Sequence, residues 1–223
     1  MSSQPIGGPR ADGRRTAAAA RRRRREKEIL DATRGLFDAR GVRDAQIEDI
    51  ARSVGINRAI IYRHFTGKEE LFALTLVGYL EELADRLRAA AASEGGPDDR
   101  LGAITAAFVD CALELMRRTG PELLDEISEG ALYRLGRGIS TCLAPLAETI
   151  QAGVDDGVFH TDDVHLLANT LYASGLGGLQ LARVGMLVKE AGPGIPTTDR
   201  LSAEQVKRHL IASSVAMAVG AQR

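Results

Sequence analysis

Apolar positions recur along this chain at intervals of three and four residues, broken by glycine and proline, the period of helices buried on one face. Ile29, Ala32, Leu36 and Phe37 share a face of a first helix, which Gly41 closes. Ile47, Ile50, Ala51 and Val54 follow at i, i+3, i+4 and i+7, and Gly55 ends this second helix where a left-handed residue is needed. Asn57 is placed to cap a third helix, from Arg58 to about His64, with Ile56 and Ile61 as a hydrophobic staple. That helix buries Ile61 and Phe65 and leaves Arg58, Ala59, Ile60, Tyr62, Arg63 and His64 for a partner. Thr66 and Glu69 have the spacing of a capping box, so a fourth helix starts at Gly67 or Lys68 and reaches about Ala92. At 1.5 Å per residue it spans roughly 37 Å.

Further helices are expected over about 98–118, 121–129, 131–156 with a kink at Pro145, 162–187 and 202–220, with AGPGIPTTD as a loop. Alternating β-branched runs are missing, so no strand is expected and the fold class is all-α. The 162–187 segment has its own texture. Asn169, Ala173 and Gly177 recur every four residues beside Thr170, Ser174 and Gly178, rows small enough for a second helix to come close. Leu166, Leu167, Leu171 and Leu181 add burial, and the last helix offers Val206, Leu210, Ser213, Ser214 and Met217.

A short helix, a glycine turn and a basic, aromatic second helix make a helix-turn-helix, whose second helix enters the major groove of DNA. Charge supports this. The net of −1 over 223 residues hides 16 Lys and Arg against 10 Asp and Glu in residues 1–70, with the remaining 13 against 20 afterwards. A basic end on an acidic body suits a face that meets phosphate. Residues 1–15 are rich in Gly, Pro and Ser and read as a disordered tail. Ala17–Arg25 favours helix without an apolar stripe, so Arg21, Arg22, Arg23, Arg24 and Arg25 form either a frayed helix start or a flexible basic arm. Such an arm can reach an adjacent minor groove.

The run QIEDIARSVGINRAIIYRHFTGKEEL, from Gln46 to Leu71, resembles the tetracycline-repressor (TetR-like) family of bacterial transcriptional regulators. The motif covers roughly residues 28–75. Two positions depart from it: Gln46 stands where the family has a capping Ser or Thr, and Ile60 where it often has a small polar residue. The resemblance implies an all-α chain: residues 1–22 a disordered basic arm, 23–67 a helix-turn-helix domain, and 68–223 a ligand-binding and dimerisation domain. It implies a repressor that binds a palindromic operator in double-stranded DNA as a homodimer and is released by a small-molecule effector. The helices at 162–187 and 202–220 would then form a four-helix dimer interface through Leu166, Asn169, Thr170, Ala173, Ser174, Gly177, Gly178, Leu181, Val206, Leu210 and Met217.

For DNA, Arg58 is the candidate for a bidentate contact to guanine, with phosphate as its alternative. Ile60 is placed for a thymine methyl or for packing. Tyr62 and His64 match family positions that contact phosphate, with a satisfied structural histidine as the alternative for His64. Lys68 adds an ammonium to the N–H groups of a helix start, Gln46 is its counterpart one helix earlier, and Arg43 is a further phosphate candidate. Asn57, Ala59 and Arg63 complete the set. A mostly apolar pocket is expected in the second domain, with Tyr79, Phe108, Cys111, Leu115, Tyr133, Arg137 and Tyr172 as candidates to line it and ordinary core packing as the alternative for each.

Enzyme motifs are missing: there is no GxSxG, no GxxxxGK[ST] and no HExxH, so an enzyme is not expected, nor a cofactor. Asp155, Asp156, His160, Asp162, Asp163 and His165 cluster, but read as an interhelix turn with acids at a helix start, not as a metal site. The two cysteines, Cys111 and Cys142, lack ligand spacing and read as reduced thiols of a cytoplasmic protein. No apolar run is long enough for a membrane span. A ligand-independent DNA-binding regulator, and a helical metal-binding or enzymatic protein, are the alternatives.

Overall fold

The computed structural model describes residues 9–119 and 129–220. They form eight α-helices and one β-hairpin: α1 (Pro9–Asp44), α2 (Ile47–Val54), α3 (Arg58–Tyr62), α4 (Lys68–Ala91), α5 (Pro97–Thr119), α6 (Glu129–Asp155), α7 (Val164–Val184), β1 (Met186–Gly192), β2 (Ile195–Arg200) and α8 (Ala203–Val219). The helix expected at 121–129 falls almost wholly outside the described residues. Two compact units emerge. One takes the chain through Thr75; the other takes Leu76–Arg117 and the chain from Leu132 onward.

In the first unit Ile29 of α1, Ile47, Ile50 and Ala51 of α2, Ile61 of α3, Leu71 of α4 and Phe65 of the segment between α3 and α4 make one apolar core. Phe37 and Phe72 extend it, with ring centroids 5.8 Å apart. Thr33, fully buried, loses no hydrogen bond because its hydroxyl donates to the Ile29 carbonyl at 2.8 Å. Gly41 leaves helical geometry at φ 78°, ψ 165° and turns the chain toward α2, as expected of a closing glycine. The arm differs from expectation: from Pro9 the chain is helical and continuous with α1 rather than disordered. Alanine and arginine favour helix, and Arg22–Glu26, Arg24–Glu28 and Arg25–Glu28 pairs three or four residues apart reinforce it.

The second unit buries Ala84 and Leu87 of α4, Leu101 and Ile104 of α5, Cys142, Leu146 and Ile150 of α6, Phe159 of the turn that follows, Ala168 and Leu171 of α7, and Ala218 of α8. Its α6 runs unbroken through Pro145, with no second helix separated off at the expected kink. Asp163 caps α7 by accepting from the His165 and Leu166 N–H groups, and Ser202 with Gln205 forms a capping box on α8. The His160 N–H donates to the Ala218 carbonyl, so the acidic turn before α7 is tied to the end of α8.

The hairpin corrects the reading of the chain as free of strands. Helix α7 stops at Val184, where Gly185 adopts φ 68°, and Met186 to Gly192 pairs antiparallel with Ile195 to Arg200. Pro193 and Gly194 hold the two central turn positions, and Gly194 takes φ 75°, the order a type II turn calls for. Met186, Leu187 and Val188 continue the apolar texture of α7, which hid the change of period. The start of α4 also differs in detail: Thr66 bonds Glu70, not Glu69, through both its N–H and its hydroxyl.

Candidate nucleic-acid interface and cavity

Helix α3 has one buried side and one open side. Ile61 is fully buried and Phe65 nearly so, because they fill the first unit's core. Asn57 accepts the Ala59 N–H at 2.9 Å, which fixes the helix start and commits that side chain to capping. Gly55, at φ 70°, lets α2 end and the chain reverse within a few residues. What remains open is Arg58, Ala59, Tyr62 and Arg63, all exposed, with Ile60 half-buried. These are five of the positions expected to face a partner.

The sixth is different. His64 is mostly buried, and its Nδ1 lies 3.2 Å from Glu26 Oε1, so it braces α3 against α1 instead of standing free for phosphate. Burial alone would raise the Glu26 carboxyl. Hydrogen bonds from Arg22 and His64, together with their charges, outweigh burial and hold it below the usual carboxylate range. Arg58 is engaged too: its guanidinium sits 3.0 Å from the Glu48 carboxylate of α2, and both groups are exposed. A hydrogen bond from its own backbone N–H and the one from Arg58 lower the Glu48 carboxyl. Exposed pairs of this kind are easily exchanged for a better partner.

Gln46 occupies the N-cap of α2 in extended conformation and makes no side-chain cap bond, so it is exposed and uncommitted to the helix. Lys68 is the half-buried first residue of α4. The Arg43 side chain lies outside what the structure describes. Beside α3, the arginines of α1 complete an open groove of about 450 Å³ lined by Arg21, Arg22, Arg24, Arg25, Glu28, Ile60, Arg63 and His64. No carboxylate among the described residues pairs with Arg21 or Arg63, so the groove stays cationic. Helical order is what places four arginines along one side, which composition could not show.

The second unit holds a small cavity of about 40 Å³ between α4, α5, α6, α7 and α8. Of the residues expected there, Phe108 and Tyr172 line it, their rings edge to face at 5.7 Å. Tyr79 is buried elsewhere; Cys111 and Leu115 are half-buried away from it; Tyr133, 69% exposed, and Arg137 point to solvent. Each lies on the correct helix but on another of its faces, and choosing among faces needs the packing. Leu87, Ile104, Thr105, Cys142, Leu143, Leu146, Ser174, Gly175, Leu210, Ser213, Ser214 and Met217 were missed as lining residues. The small residues among them carried a signal, but one that was assigned to another contact.

That contact is the row on α7. Leu166, Asn169, Thr170, Ala173, Gly177 and Leu181 are exposed, as an interface with a second chain requires. The Thr170 hydroxyl donates back to the Leu166 carbonyl, and the Asn169 amide gives one of its two protons to the His165 carbonyl. The other expected members turn inward. Gly178 packs on Leu210, so closely that a Cβ would lie 2.7 Å from Leu210 Cδ1. Leu210 and Val206 join Val109 and Leu179 in a core within the chain. Ser174 lines the cavity, as does Met217, which is also partly exposed. Of two adjacent rows of small residues, one is exposed and the other packs within the chain at Ser174 and Gly178.

The acidic turn holds no metal-ligand group among the described residues. No helix among them is long and apolar enough to cross a membrane.

The model for bacterial regulatory proteins of the tetR family matches residues 29–75, the segment that builds α2, α3 and their supports. The HTH-type transcriptional repressor KstR2 of Rhodococcus jostii is 31% identical over 147 residues, which cover 62% of this chain and 70% of that protein. Other curated relatives align over 40–41% of their own length. A TetR/AcrR regulator from Thermobifida fusca superposes with a TM-score of 0.63 at 20% identity, covering 89% of this chain and 99% of that one. FadR of Bacillus subtilis, solved in complex with stearoyl-CoA, reaches 0.63 at 14% identity, covering 85% and 97%. At these identities the two structures show a shared fold.

Proposed function

Because this chain belongs to the tetR family of bacterial regulatory proteins, we propose that it is a repressor that grips a palindromic operator as a homodimer and lets go when a small molecule enters its second unit. It is a DNA-binding transcriptional regulator. The observation that carries the operator contact is α3: a short capped helix with Ile61 buried and Arg58, Ala59, Tyr62 and Arg63 open, beside the arginines of α1. In this reading Arg58 leaves Glu48 for a guanine edge, Tyr62 and Arg63 reach backbone oxygens, and Gln46, Arg43 and Lys68 hold the flanking phosphates. The α1 arginines follow the backbone or enter the minor groove as part of a helix rather than as a loose arm.

Two copies would meet through the exposed row of α7, with Leu166, Ala173, Gly177 and Leu181 at the contact. Two α3 helices then need to sit about 34–36 Å apart to read two half-sites. Helix α4 starts at Lys68 beside the reading helix and carries Leu87 to the cavity wall, so a ligand that displaces it alters that spacing. The protein works in the cytoplasm and is not an enzyme. A ligand-independent regulator is the competing reading.

Selection of duplexes from a random pool, followed by fluorescence anisotropy with the selected site, tests it. Arg58→Ala should weaken binding and relax preference at one base pair per half-site, by about 1–3 kcal/mol of discrimination. Lys68→Ala should weaken all sequences alike and lower the salt slope by about one unit. Arg58→Ala with unchanged affinity and base preference would show that α3 does not read DNA.

A further inference from the structure

The cavity is small, and its lining is unusual in having no charge. Among its lining residues there is no Asp, Glu, Lys, Arg or His. Its two weak acids are held neutral: burial pushes the Cys142 thiol up to about 11 and raises the Tyr172 phenol above its ordinary value. An ion placed there would give up its hydration and meet no counter-charge.

Its polar groups are hydroxyls, and most of their protons are already spent. Ser213 donates to the His209 carbonyl at 2.7 Å and Ser214 to the Ile211 carbonyl at 2.9 Å. Thr105 has the Leu101 carbonyl at 2.9 Å and Ser214 Oγ at 3.0 Å, and its single proton goes to one of them. These oxygens therefore present lone pairs, which accept. Tyr172 contributes a phenol that can donate. Together they can satisfy a group that both gives and takes one hydrogen bond.

At about 40 Å³ the space holds little more than one water, whereas ligand pockets run to several hundred. Phe108 is what occupies the missing room. Its ring lies against Gly175, where a Cβ would come within 2.6 Å of Phe108 Cε1, and it is only half-buried. Gly175 thus provides the seat for a ring that can leave it.

We propose that this cavity takes an uncharged, largely apolar molecule bearing a hydroxyl group, an alcohol or a phenol, admitted when the Phe108 ring moves off Gly175. The inference rests on the ligand-released reading only in using the same cavity; it deepens it by fixing the class of effector.

The test is calorimetric titration of the full chain at pH 7 with three probes of one shape: 2-naphthol, its methyl ether, and naphthalene-2-carboxylate. 2-Naphthol should bind at least tenfold more tightly than either of the others. Ser213→Ala should cut its advantage over the ether several-fold, and Phe108→Ala should tighten all neutral probes. Carboxylate binding as tight as naphthol overturns the neutral class, and equal binding by the ether overturns hydroxyl recognition. No binding heat and no melting shift with any probe would show that the cavity is not a site for such molecules. Anisotropy on operator DNA separates the two claims: naphthol that binds without releasing DNA refutes ligand release and leaves the ligand class standing.

Discussion

Gly177 and Gly178 are neighbours on α7 with opposite surroundings, and that contrast can be read out. Around Gly177, apart from its chain neighbours and the adjacent backbone of its own helix, no atom of the described residues lies within 4 Å of a would-be Cβ. Around Gly178 the same Cβ would stand 2.7 Å from Leu210 Cδ1 and 3.1 Å from its Cδ2 and Cγ, well inside the ~3.5–4.0 Å of comfortable carbon contact. Val109, Leu179 and Val206 pack with Leu210, and the small cavity it also lines leaves it little room to swing away. Gly178→Ala gains about 1 kcal/mol of helix propensity. Overpacking a filled core costs about 1–3 kcal/mol. The net is a loss of up to about 2 kcal/mol, seen as a lower urea midpoint that does not depend on protein concentration. Gly177→Leu meets nothing within its own chain and should leave the subunit as stable or more so. If the α7 row is a subunit interface, the same leucine should weaken self-association about 5- to 150-fold, the equivalent of 1–3 kcal/mol. Sedimentation at a series of concentrations measures this. An undisturbed dimer in Gly177→Leu would refute the interface, and Gly178→Ala at least as stable as wild type would refute the Leu210 packing.

Replacing Arg21, Arg22, Arg24 and Arg25 together with alanine should weaken specific and non-specific DNA binding alike, with the log–log salt slope shallower by about 0.9 for each phosphate no longer neutralised; an unchanged slope would leave these arginines no DNA role. Glu26→Gln should cost stability at neutral pH. Since the Glu26 carboxyl is held below its ordinary 4.5, its stabilising pairing is present above that value and lost as pH falls. Denaturation curves of the two proteins should therefore converge in acid, and a constant gap down to pH 3 would contradict the pairing with Arg22 and His64. The Cys142 thiol, raised from 9.0 to about 11, stabilises the folded state below pH 9 and loses that effect as pH rises toward 11. A flatter alkaline stability profile in Cys142→Ala checks it.

The DNA-reading half was legible because its signals are local. Gly55, Asn57 and the i, i+3, i+4 spacing of Ile47, Ile50 and Ala51 each act within a few residues, and the structure keeps every one of them. What escaped depends on neighbours distant in sequence. His64 is withdrawn from the open face by Glu26, 38 residues earlier. The arginine run read as a frayed start or a flexible arm because the acids that order it, Glu26 and Glu28, belonged by pattern to the next segment. Tyr133 and Arg137 were placed in a pocket by their chemistry, but one helix face decides exposure, and α6 turns them outward. The hairpin was hidden by Met186, Leu187 and Val188, apolar residues that fit either period; only Gly185 and the Pro193-Gly194 turn marked the change.

One helix, α7, has its inward side and its open side a single residue apart: Ser174, which lines the cavity, beside Ala173, and Gly178, which packs on Leu210, beside Gly177. A molecule filling the cavity and a second chain covering the open row would press on the same backbone from opposite directions, and where Ala173 and Ser174 adjoin only small side chains stand between them. Their binding energies are then coupled, and coupling is reciprocal. If occupancy of the cavity loosens the pair, diluting the protein must tighten its hold on the ligand by the same factor. An effector affinity measured at micromolar protein would differ from that at nanomolar, and the ratio of the two would report the strain carried by this helix.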